Sequence, residues 1–255
     1  MVWDGVTAPR EALAGARAVV HLSGEPIFGG LPTAVRRARM RASRIDSTRE
    51  LARAIDSLPD ALRPAVFVCA SAVGFYGSRG EEVLAETATR GNGFLADLCV
   101  DWEAPVRAVA SARSVSLRIG IVLAREGGAL PMMALPFRFG VGGRLGDGRQ
   151  WVPWIHIDDL VSLILAALDD DRYSGPINAV APNPVRNAEL TAAIAEVLRR
   201  PALLPVPAFA IRGVLGALSG ELLDSKRVVP ERAAKLGFAY AHPEIESALE
   251  RELGH

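Results

Sequence analysis

A hydrophobic run near the beginning of the chain ends in a serine and a glycine, which suits the binding of a nucleotide. The run "GARAVVHLSG" covers residues 15–24 and places Ser23 and Gly24 directly after its apolar residues. Such an ending is typical of a strand in a nucleotide-binding sheet, where small residues let the ligand lie against the backbone. The first strand of these sheets usually leads into a glycine fingerprint that holds a pyrophosphate. Residues 15–24 are therefore either a divergent copy of that fingerprint or a later turn of the same fold.

A second candidate group consists of hydroxyl side chains that follow another apolar run. Ser71 ends the run "AVFVCAS", and Tyr76 lies in the loop directly after it. A serine hydrolase is not expected, because the sequence has no G-x-S-x-G elbow. The four histidines show no metal-ligand spacing, so we also expect no metal site.

Polar residues around the glycine-rich segment 140–148 form a third group. Arg138, Arg149 and Gln150 flank this segment and are candidates for binding an anionic or sugar-like substrate, with simple surface solvation as the alternative. The following segment "WIHIDDL" places His156 and Asp158 where they could contact a substrate. A buried, hydrogen-bonded histidine and a helix N-cap role for Asp158 are the more common outcomes for such residues.

The elements that must position these residues alternate between strands and helices. Apolar residues are nearly continuous in four runs, which indicates strands buried on both faces of a parallel sheet. These runs cover residues 18–23, 65–71, 115–123 and 177–182, and helical patterns cover residues 33–57, 93–111 and 157–168. Pro105 interrupts the second helical pattern, so we expect a kink or an early end there. The alternation predicts a doubly wound α/β fold with a parallel sheet.

Two further segments depart from this alternation. Residues 131–150 are rich in proline and glycine, so we expect an irregular excursion over the carboxyl-terminal edge of the sheet. Beyond residue 200, short helical patterns separated by prolines predict a small, mainly helical C-terminal lobe. The predicted domains are residues 1–199 and residues 200–255.

The composition narrows the class of partner. The chain has 255 residues, half of them hydrophobic, and its 29 basic residues balance 29 acidic ones. It can bury a full core, and it has no basic stripe for nucleic acid or an anionic membrane. No apolar stretch approaches the ~20 residues of a membrane helix. Only two cysteines occur and no secretory signal precedes them, so we expect a soluble, cytoplasmic protein with a small-molecule substrate.

Several motifs together resemble one known family. The segments "HLSGEPI", "SRIDSTREL", "ASAVGFYG", "DWEAPV", "LRIGIVLAREGGAL" and "GPINAVAPNPVRN" are similar to those of epimerase family proteins. These are atypical extended short-chain dehydrogenase/reductases that are nucleoside-diphosphate-sugar epimerase-like. The tail of the chain resembles the small C-terminal domain of unknown function that closes members of this family. The resemblance implies a Rossmann-like sheet and an NADP or NAD cofactor.

The same resemblance implies that part of the fold is missing from this sequence. In the family, "HLSGEP" corresponds to the end of the fourth strand, whereas the glycine loop that holds the cofactor lies on the first strand. The chain is therefore expected to be truncated, without its N-terminal glycine-rich βαβ unit, and to bind its cofactor weakly. Residues 18–23 are then expected to form an exposed sheet edge through which the chain could self-associate.

The resemblance also assigns cofactor-binding residues. The adenosine half of the dinucleotide is expected at Leu22, Ser23, Gly24 and Glu25, although an ordinary strand-end turn is the alternative. Arg44 matches a position where its guanidinium could pair with a phosphate, or else it belongs to a solvated basic run. Ile121 matches a position whose backbone faces the nicotinamide, or else it is plain core.

The usual catalytic pair of the superfamily is absent. Extended members carry a tyrosine and, four residues later, a lysine that lowers the pKa of the phenol, and these positions fall on Leu95 and Cys99. Ser71 corresponds to the hydroxyl that orients the substrate carbonyl, with Tyr76 beside it, or else Ser71 is bonded to backbone at a strand end. The leading function is an NADP(H)-dependent oxidoreductase or epimerase-like protein acting on a small, for instance nucleotide-sugar-like, substrate. The alternative is a non-catalytic nucleotide-binding or sensing module, or a fragment unable to bind cofactor.

Overall fold

A four-stranded parallel sheet lies at the centre of the fold, in a computed structural model that describes residues 3, 5–27, 30 and 33–254. The strands are β1 (Ala18–His21), β2 (Val66–Ala72), β3 (Val83–Leu84), β4 (Arg113–Ile119), β5 (Ile121–Ala124), β6 (Gly127–Gly128), β7 (Trp151–Val152), β8 (Trp154–His156), β9 (Gly175–Ala179), β10 (Val185–Arg186) and β11 (Arg227–Val228). The sheet has the order β1-β2-β4-β9, and all neighbouring strands are parallel. This confirms the predicted α/β fold.

Helices cover this sheet on both faces. They are α1 (Arg10–Leu13), α2 (Ala34–Arg41), α3 (Ser47–Asp56), α4 (Phe94–Arg107), α5 (Leu130–Arg138), α6 (Ile157–Asp169), α7 (Asn187–Val197), α8 (Ala208–Leu215), α9 (Gly220–Leu223), α10 (Glu231–Lys235) and α11 (Ile245–Leu253). Alternate residues of β2 enter different cores, because successive side chains of a strand point to opposite faces. Phe67 and Cys69 pack with α3 and α4, whereas Val66 and Val68 pack with α6. Among the described residues, no helix is long and apolar enough to span a membrane.

The helix predicted over residues 33–57 consists of three consecutive pieces. The Thr33 hydroxyl accepts a hydrogen bond from the Arg36 N–H at the start of α2. A π-helical turn, Ala42–Asp46, joins α2 to α3, and the Ser47 N–H donates to the Ala42 carbonyl, five residues back. This turn buries Arg44, and α3 ends shortly before Pro59.

The other two predicted helices are present, with corrections at their ends. Helix α4 contains Pro105 and ends two residues later at Arg107, earlier than the predicted residue 111. Helix α6 begins at Ile157, and its N-cap is His156 rather than Asp158. The prediction for Asp158 was wrong because the His156 imidazole accepts the Asp158 N–H at 3.1 Å and satisfies the first turn itself.

The strand predicted over residues 115–123 is divided at Gly120. The Gly120 N–H donates to the Ala179 carbonyl in the central sheet, whereas the Ile121 N–H donates to the Pro153 carbonyl. A β-carbon on Gly120 would lie 2.7 Å from the Pro153 oxygen, so only glycine permits this close approach. The chain therefore leaves the central sheet here, and β5 forms a second sheet with β6 and β8.

The proline- and glycine-rich region 131–150 is less irregular than predicted. Its first part belongs to α5, which buries Leu130, Ala134 and Phe137 in the second core. A proline in the first turn is compatible with a helix, because the N–H that it lacks has no intrahelical partner there. The remainder is irregular, and Leu145 forms a single bridge with Val206.

The C-terminal segment packs against the rest of the fold at several places. Strand β11 pairs with β3 in parallel, and α11 packs with α7 and β5 in one hydrophobic cluster. Ala233 of α10 joins the core on the α6 face of the central sheet. The segment 216–226 lies between these contacts and reaches the carboxyl-terminal side of the sheet, beside Gly74 and Ile121.

Candidate functional site

A groove of about 850 Å³ lies at the carboxyl end of β1. Ser23, Gly24 and Glu25 line it on one side, and residues from the π-helical turn and α3 line the other side. The Ser43 hydroxyl accepts a hydrogen bond from the Glu25 N–H at 2.9 Å, which fixes the turn against the helix. Leu22, the fourth predicted residue of this turn, is largely exposed beside the groove and does not line it. The structure thus brings together three of the four residues expected to meet the adenosine half.

Arg44 is buried at the base of this turn. Its Nη1 donates to the Glu25 carbonyl at 2.9 Å, and its guanidinium lies 5.1 Å from the centre of the Trp102 ring. Burial lowers the pKa of Arg44 below its ordinary value. Because only 8% of Arg44 is exposed, the alternative of a solvated basic run is wrong.

The donors of Arg44 make it suitable for an anion. A β-carbon on Gly24 would stand 3.0 Å from the guanidinium carbon, so the absence of a side chain there lets the arginine pack against the Gly24 backbone. Among the described residues, Nε and Nη2 of Arg44 form no hydrogen bond. Arg44 does not itself line the groove, but a phosphate that reached its guanidinium could accept both donors, which fits the phosphate contact expected for Arg44.

Ser71 and Tyr76, the predicted catalytic residues, are both buried in a polar network. The Ser71 hydroxyl donates to Glu103 at 2.8 Å, so its partner is a carboxylate rather than the backbone expected in the alternative. The Tyr76 hydroxyl donates to Asn178 at 2.6 Å and accepts from Arg118 at 2.9 Å. Burial raises the pKa of Tyr76 above its ordinary value. Neither residue lines the groove at Ser23–Glu25 or the cavity at Ile121, and both hydroxyls are held by the buried network.

Arg118 and Glu103 form the centre of this network, and the sequence interpretation did not single them out as a pair. Arg118 donates to both Glu103 oxygens, at 2.8 and 3.0 Å, and its guanidinium lies 3.5 Å from the centre of the Phe75 ring. Burial disfavours the charge of Arg118, but Glu103 and Tyr76 raise its pKa above the ordinary value. The network extends to Asn178, whose backbone N–H donates to Glu86. It joins β2, β4 and β9 just beneath the carboxyl-terminal edge.

Cys99 and Leu95, which the resemblance places at the usual catalytic positions, are buried next to Gly74. Burial, followed by the charges of Glu221 and Glu103, raises the pKa of the Cys99 thiol to about 12. The Glu221 carboxylate, the Leu95 Cβ and the Cys99 Sγ all lie within 3.6 Å of the place where a Gly74 β-carbon would stand. Glu221 thus reaches this place from more than a hundred residues along the chain, and no local pattern in the sequence signals it.

Ile121 begins β5 and lines a small cavity of about 40 Å³ on the same side of the sheet.

The predicted substrate residues lie elsewhere. Gln150 is buried, and its side-chain amide donates to the Leu145 and Leu222 carbonyls at 3.1 and 3.0 Å. Arg149 and Arg138 are exposed, and Arg138 belongs to a separate surface depression near the end of α11. The structure does not bring the two arginines to the cavity at Ile121.

His156 is fully buried and fully hydrogen-bonded. Besides capping α6 through Nδ1, it pairs through Nε2 with Glu252 at 3.0 Å, and its ring lies 3.8 Å from that of His242. Burial, and then His242, lowers the pKa of His156. His156, His242 and Asp158 have ligand atoms within 4.8 Å of one another, a grouping that their sequence spacing does not reveal. A metal ion would have to displace existing hydrogen bonds of His156.

The fold and the groove together define a class of protein. A parallel sheet with a ligand groove at the carboxyl end of a strand, a small-residue turn and a buried arginine is typical of Rossmann-like dinucleotide-binding proteins. The profile of the NAD dependent epimerase/dehydratase family matches residues 6–179, and a domain of unknown function, DUF1731, matches residues 206–252. The chain belongs to the NAD dependent epimerase/dehydratase family, which confirms the resemblance seen in its motifs.

Individual relatives extend over most of the chain. The epimerase family protein SDR39U1 homolog of Arabidopsis thaliana, described as chloroplastic, is 40% identical over 241 residues, covering 94% of this chain and 69% of that protein. The epimerase family protein YfhF of Bacillus subtilis is 37% identical over 245 residues, covering 95% and 80% respectively. The crystal structure of human epimerase family protein SDR39U1 (isoform 2) with NADPH superposes with a TM-score of 0.89 at 34% identity, covering 93% of this chain and 82% of that chain.

Proposed function

We propose that this protein binds NADP(H) and acts as an oxidoreductase or epimerase on a small substrate. The adenosine half would lie in the groove at Ser23–Glu25, a phosphate would pair with Arg44, and the nicotinamide would lie beside Ile121. Family membership supports this proposal, as does the presence of NADPH in the structure of the human relative. The bound dinucleotide would exchange a hydride with the substrate, and the residues of this chain would bind and orient it.

The observation that carries the proposal is the state of Arg44. Among the described residues, no carboxylate lies within 4 Å of Arg44, and its burial is compensated by two carbonyls, the Trp102 ring and the more distant charges of Glu221 and Glu25. A phosphate at the Nε and Nη2 donors would add a directly paired negative charge. The guanidinium packs against Gly24, which lines the groove, so such a phosphate would lie next to the groove.

The test compares Arg44→Ala with Arg41→Ala at millimolar NADPH. Arg41 is a matched control because it lies about one helical turn earlier, is partly exposed and already pairs with Asp101. A charge-assisted hydrogen bond contributes about 1.5–3 kcal/mol, so Arg44→Ala should weaken binding about 10-fold or more in saturation-transfer NMR. Equal binding by the two variants would contradict a phosphate contact at Arg44.

We expect the affinity of the 255-residue polypeptide itself to be weak. The described residues before β1 contain only the short helix α1, and they offer no glycine-rich turn at a helix N-terminus to hold a pyrophosphate. Thermal unfolding should therefore shift little at millimolar NADPH. A dissociation constant in the low micromolar range by calorimetry would refute this expectation.

A second candidate function is nucleotide binding without turnover. The burial of Ser71 and Tyr76 and the presence of Leu95 and Cys99 at the usual catalytic positions favour it. The two functions differ in one measurement, the oxidation of NADPH in the presence of nucleotide sugars and small carbonyl compounds. A sensing module would bind the dinucleotide but leave its absorbance constant with every compound.

The setting of this activity is part of the proposal. Both cysteines are buried and unpaired, which suits a reducing compartment such as the cytoplasm. The balanced charge favours a small molecule over nucleic acid or a membrane surface as the partner. Cell fractionation with an antibody against the chain would test the location.

A further inference from the structure

Two segments that the proposed function does not use carry most of the exposed apolar side chains. Nine of the 17 large apolar side chains that are exposed in the described part of the chain lie in residues 132–141 and 203–214. They are Met132, Leu135, Phe139, Val141, Leu203, Leu204, Val206, Phe209 and Val214. Phe139, Leu203 and Phe209 are each at least 75% exposed. A concentration of this kind marks an interaction site, whereas single exposed apolar residues do not.

Backbone hydrogen bonds join the ends of the two segments. The Leu204 N–H donates to the Gly142 carbonyl at 3.2 Å, and the Val206 N–H donates to the Arg144 carbonyl at 2.9 Å. A β-carbon on Gly143 would lie 2.1 Å from the Leu204 oxygen, so only glycine permits this approach. The two segments therefore form one surface, the apolar face.

The charged residues of the apolar face are all positive. Residues 127–146 and 197–220 contain no aspartate or glutamate. The same two stretches contain five exposed arginines: Arg138, Arg144, Arg199, Arg200 and Arg212. Among the described residues, none of the five forms an ion pair with a carboxylate. The even total charge of the chain conceals this local surplus of positive charge.

A surface depression of about 480 Å³ adjoins the apolar face. Arg138, which directly precedes Phe139, lines it together with Arg200 and Arg125. Arg125 donates to the carbonyls of residues 251 and 254 at 3.3 and 3.2 Å. The other described residues of its wall are uncharged: Leu198, Leu253 and Gly254. Three guanidinium groups around one depression suit a phosphate, because each offers several donors to its oxygens.

We propose that the apolar face docks on an anionic lipid bilayer, with a lipid phosphate in the depression and Phe139, Leu203 and Phe209 at the acyl boundary. Exposed aromatic and aliphatic side chains with arginines and without acidic residues have the composition of a membrane-binding surface. A second copy in a twofold contact would bring identical arginines together, and a nucleic acid would leave the aliphatic side chains in water. A bilayer satisfies both the apolar groups and the charges.

Docking goes beyond the proposed function and does not depend on it, because the apolar face lies outside the groove at Ser23–Glu25. A protein that binds a bilayer peripherally still acts on a small molecule in its groove. The expectation of no membrane partner rests on the total charge. The present inference replaces it with one based on the distribution of charge.

The experiment is flotation of the 255-residue chain with lipid vesicles, because aggregates of the chain alone do not float. The vesicles contain phosphatidylcholine alone or with about one third phosphatidylglycerol. The chain should float with the anionic vesicles and stay behind with the neutral ones. At about 1 M salt, where charges are screened beyond about 3 Å, most of the bound chain should be released.

Two double variants separate the apolar and the charged contributions. Phe139→Ser with Phe209→Ser should lower the partition coefficient at least about 10-fold, since each ring loses its transfer from water. Arg138→Gln with Arg200→Gln should lower it about 20- to 30-fold. Leu165→Ser, at an exposed position of α6, and Arg17→Gln, at an exposed pair with Asp169, are the matched controls and should float like the unchanged chain.

Four results would overturn the proposal. They are no flotation with anionic vesicles, equal flotation with neutral ones, undiminished flotation of either double variant, and release from the vesicles by millimolar glycerol phosphate at constant ionic strength. The last result would show that the depression binds a soluble phosphate instead of a bilayer. The lipid and salt comparisons use only the unchanged chain, so they decide the question even if a variant does not fold.

Discussion

Replacement of Arg118 by methionine tests whether the buried network holds the sheet together. The substitution removes two hydrogen bonds to Glu103 and one to Tyr76. It leaves the Glu103 carboxylate, whose side chain is 2% exposed, with only Ser71 and a 3.4 Å contact from Arg107 among the residues that the structure describes. Loss of one partner from a buried ion pair costs about 3–5 kcal/mol. For a chain of this length, that corresponds to a Tm about 6–20 °C lower.

A second substitution distinguishes the loss of the pair from the loss of packing. In the double variant Arg118→Met with Glu103→Leu, no charge is left uncompensated, so the double variant should be more stable than Arg118→Met alone. Chemical denaturation and calorimetry measure both, and Arg172→Met, at an exposed pair with Asp170, should leave the midpoint unchanged. A loss of less than about 1.5 kcal/mol in Arg118→Met, or simple additivity in the double variant, would refute this account.

Two further predictions concern acid stability and association. Burial lowers the pKa of His21 to about 4, so below the ordinary value of 6.5 the unfolded chain binds more protons than the folded chain. The contribution of His21 to the free energy of unfolding should be fully present above pH 6.5 and should fall by up to about 3 kcal/mol as the pH approaches 4. Urea unfolding at the two pH values should show a smaller loss in His21→Gln. Strand β1 pairs only with β2 among the described residues, and Val20 is 40% exposed, so we propose that the chain self-associates along residues 18–23. Light scattering should report a species larger than the monomer, and Val20→Lys should lower the fraction of that species. A monodisperse monomer whose β1 amides are as protected from hydrogen exchange as those of β2 would contradict this prediction.

Continuous apolar runs made the central sheet predictable. The strands around Val68, Val115 and Ile177 are buried on both faces, and a parallel sheet leaves this pattern in the sequence. The division at Gly120 could not be predicted, because it depends on the Pro153 carbonyl, which lies 33 residues away in the chain and close in space. The short helix α5 was missed because its prolines were interpreted as interruptions, although the first lies at a position that a helix tolerates.

The candidate site was predictable only in part. The turn at Ser23 and Gly24 is local and was visible in the sequence, and the structure places both residues on the wall of a groove. Arg118 carried a signal that could have been used: a charged residue within an apolar strand run requires a buried partner, and the segment "DWE" on the neighbouring helix supplies Glu103. Glu221 carried no comparable signal, since its position beside Gly74 depends on how a distant segment folds back over the sheet.

The π-helical turn has a consequence for tolerance to deletion. It accommodates one residue more than a regular helix would between α2 and α3, and Arg44 lies within it. Deleting one residue between positions 42 and 46 would restore an uninterrupted α-helix and leave α3 packed on the sheet. Because the turn takes up its extra residue locally, α2 and α3 would keep nearly their present relative orientation. The residues inside the turn would shift instead, so the Ser43 hydroxyl would leave the Glu25 amide and Arg44 would leave the Glu25 carbonyl. At this joint, the extra residue serves the turn at Glu25 rather than the packing of the two helices.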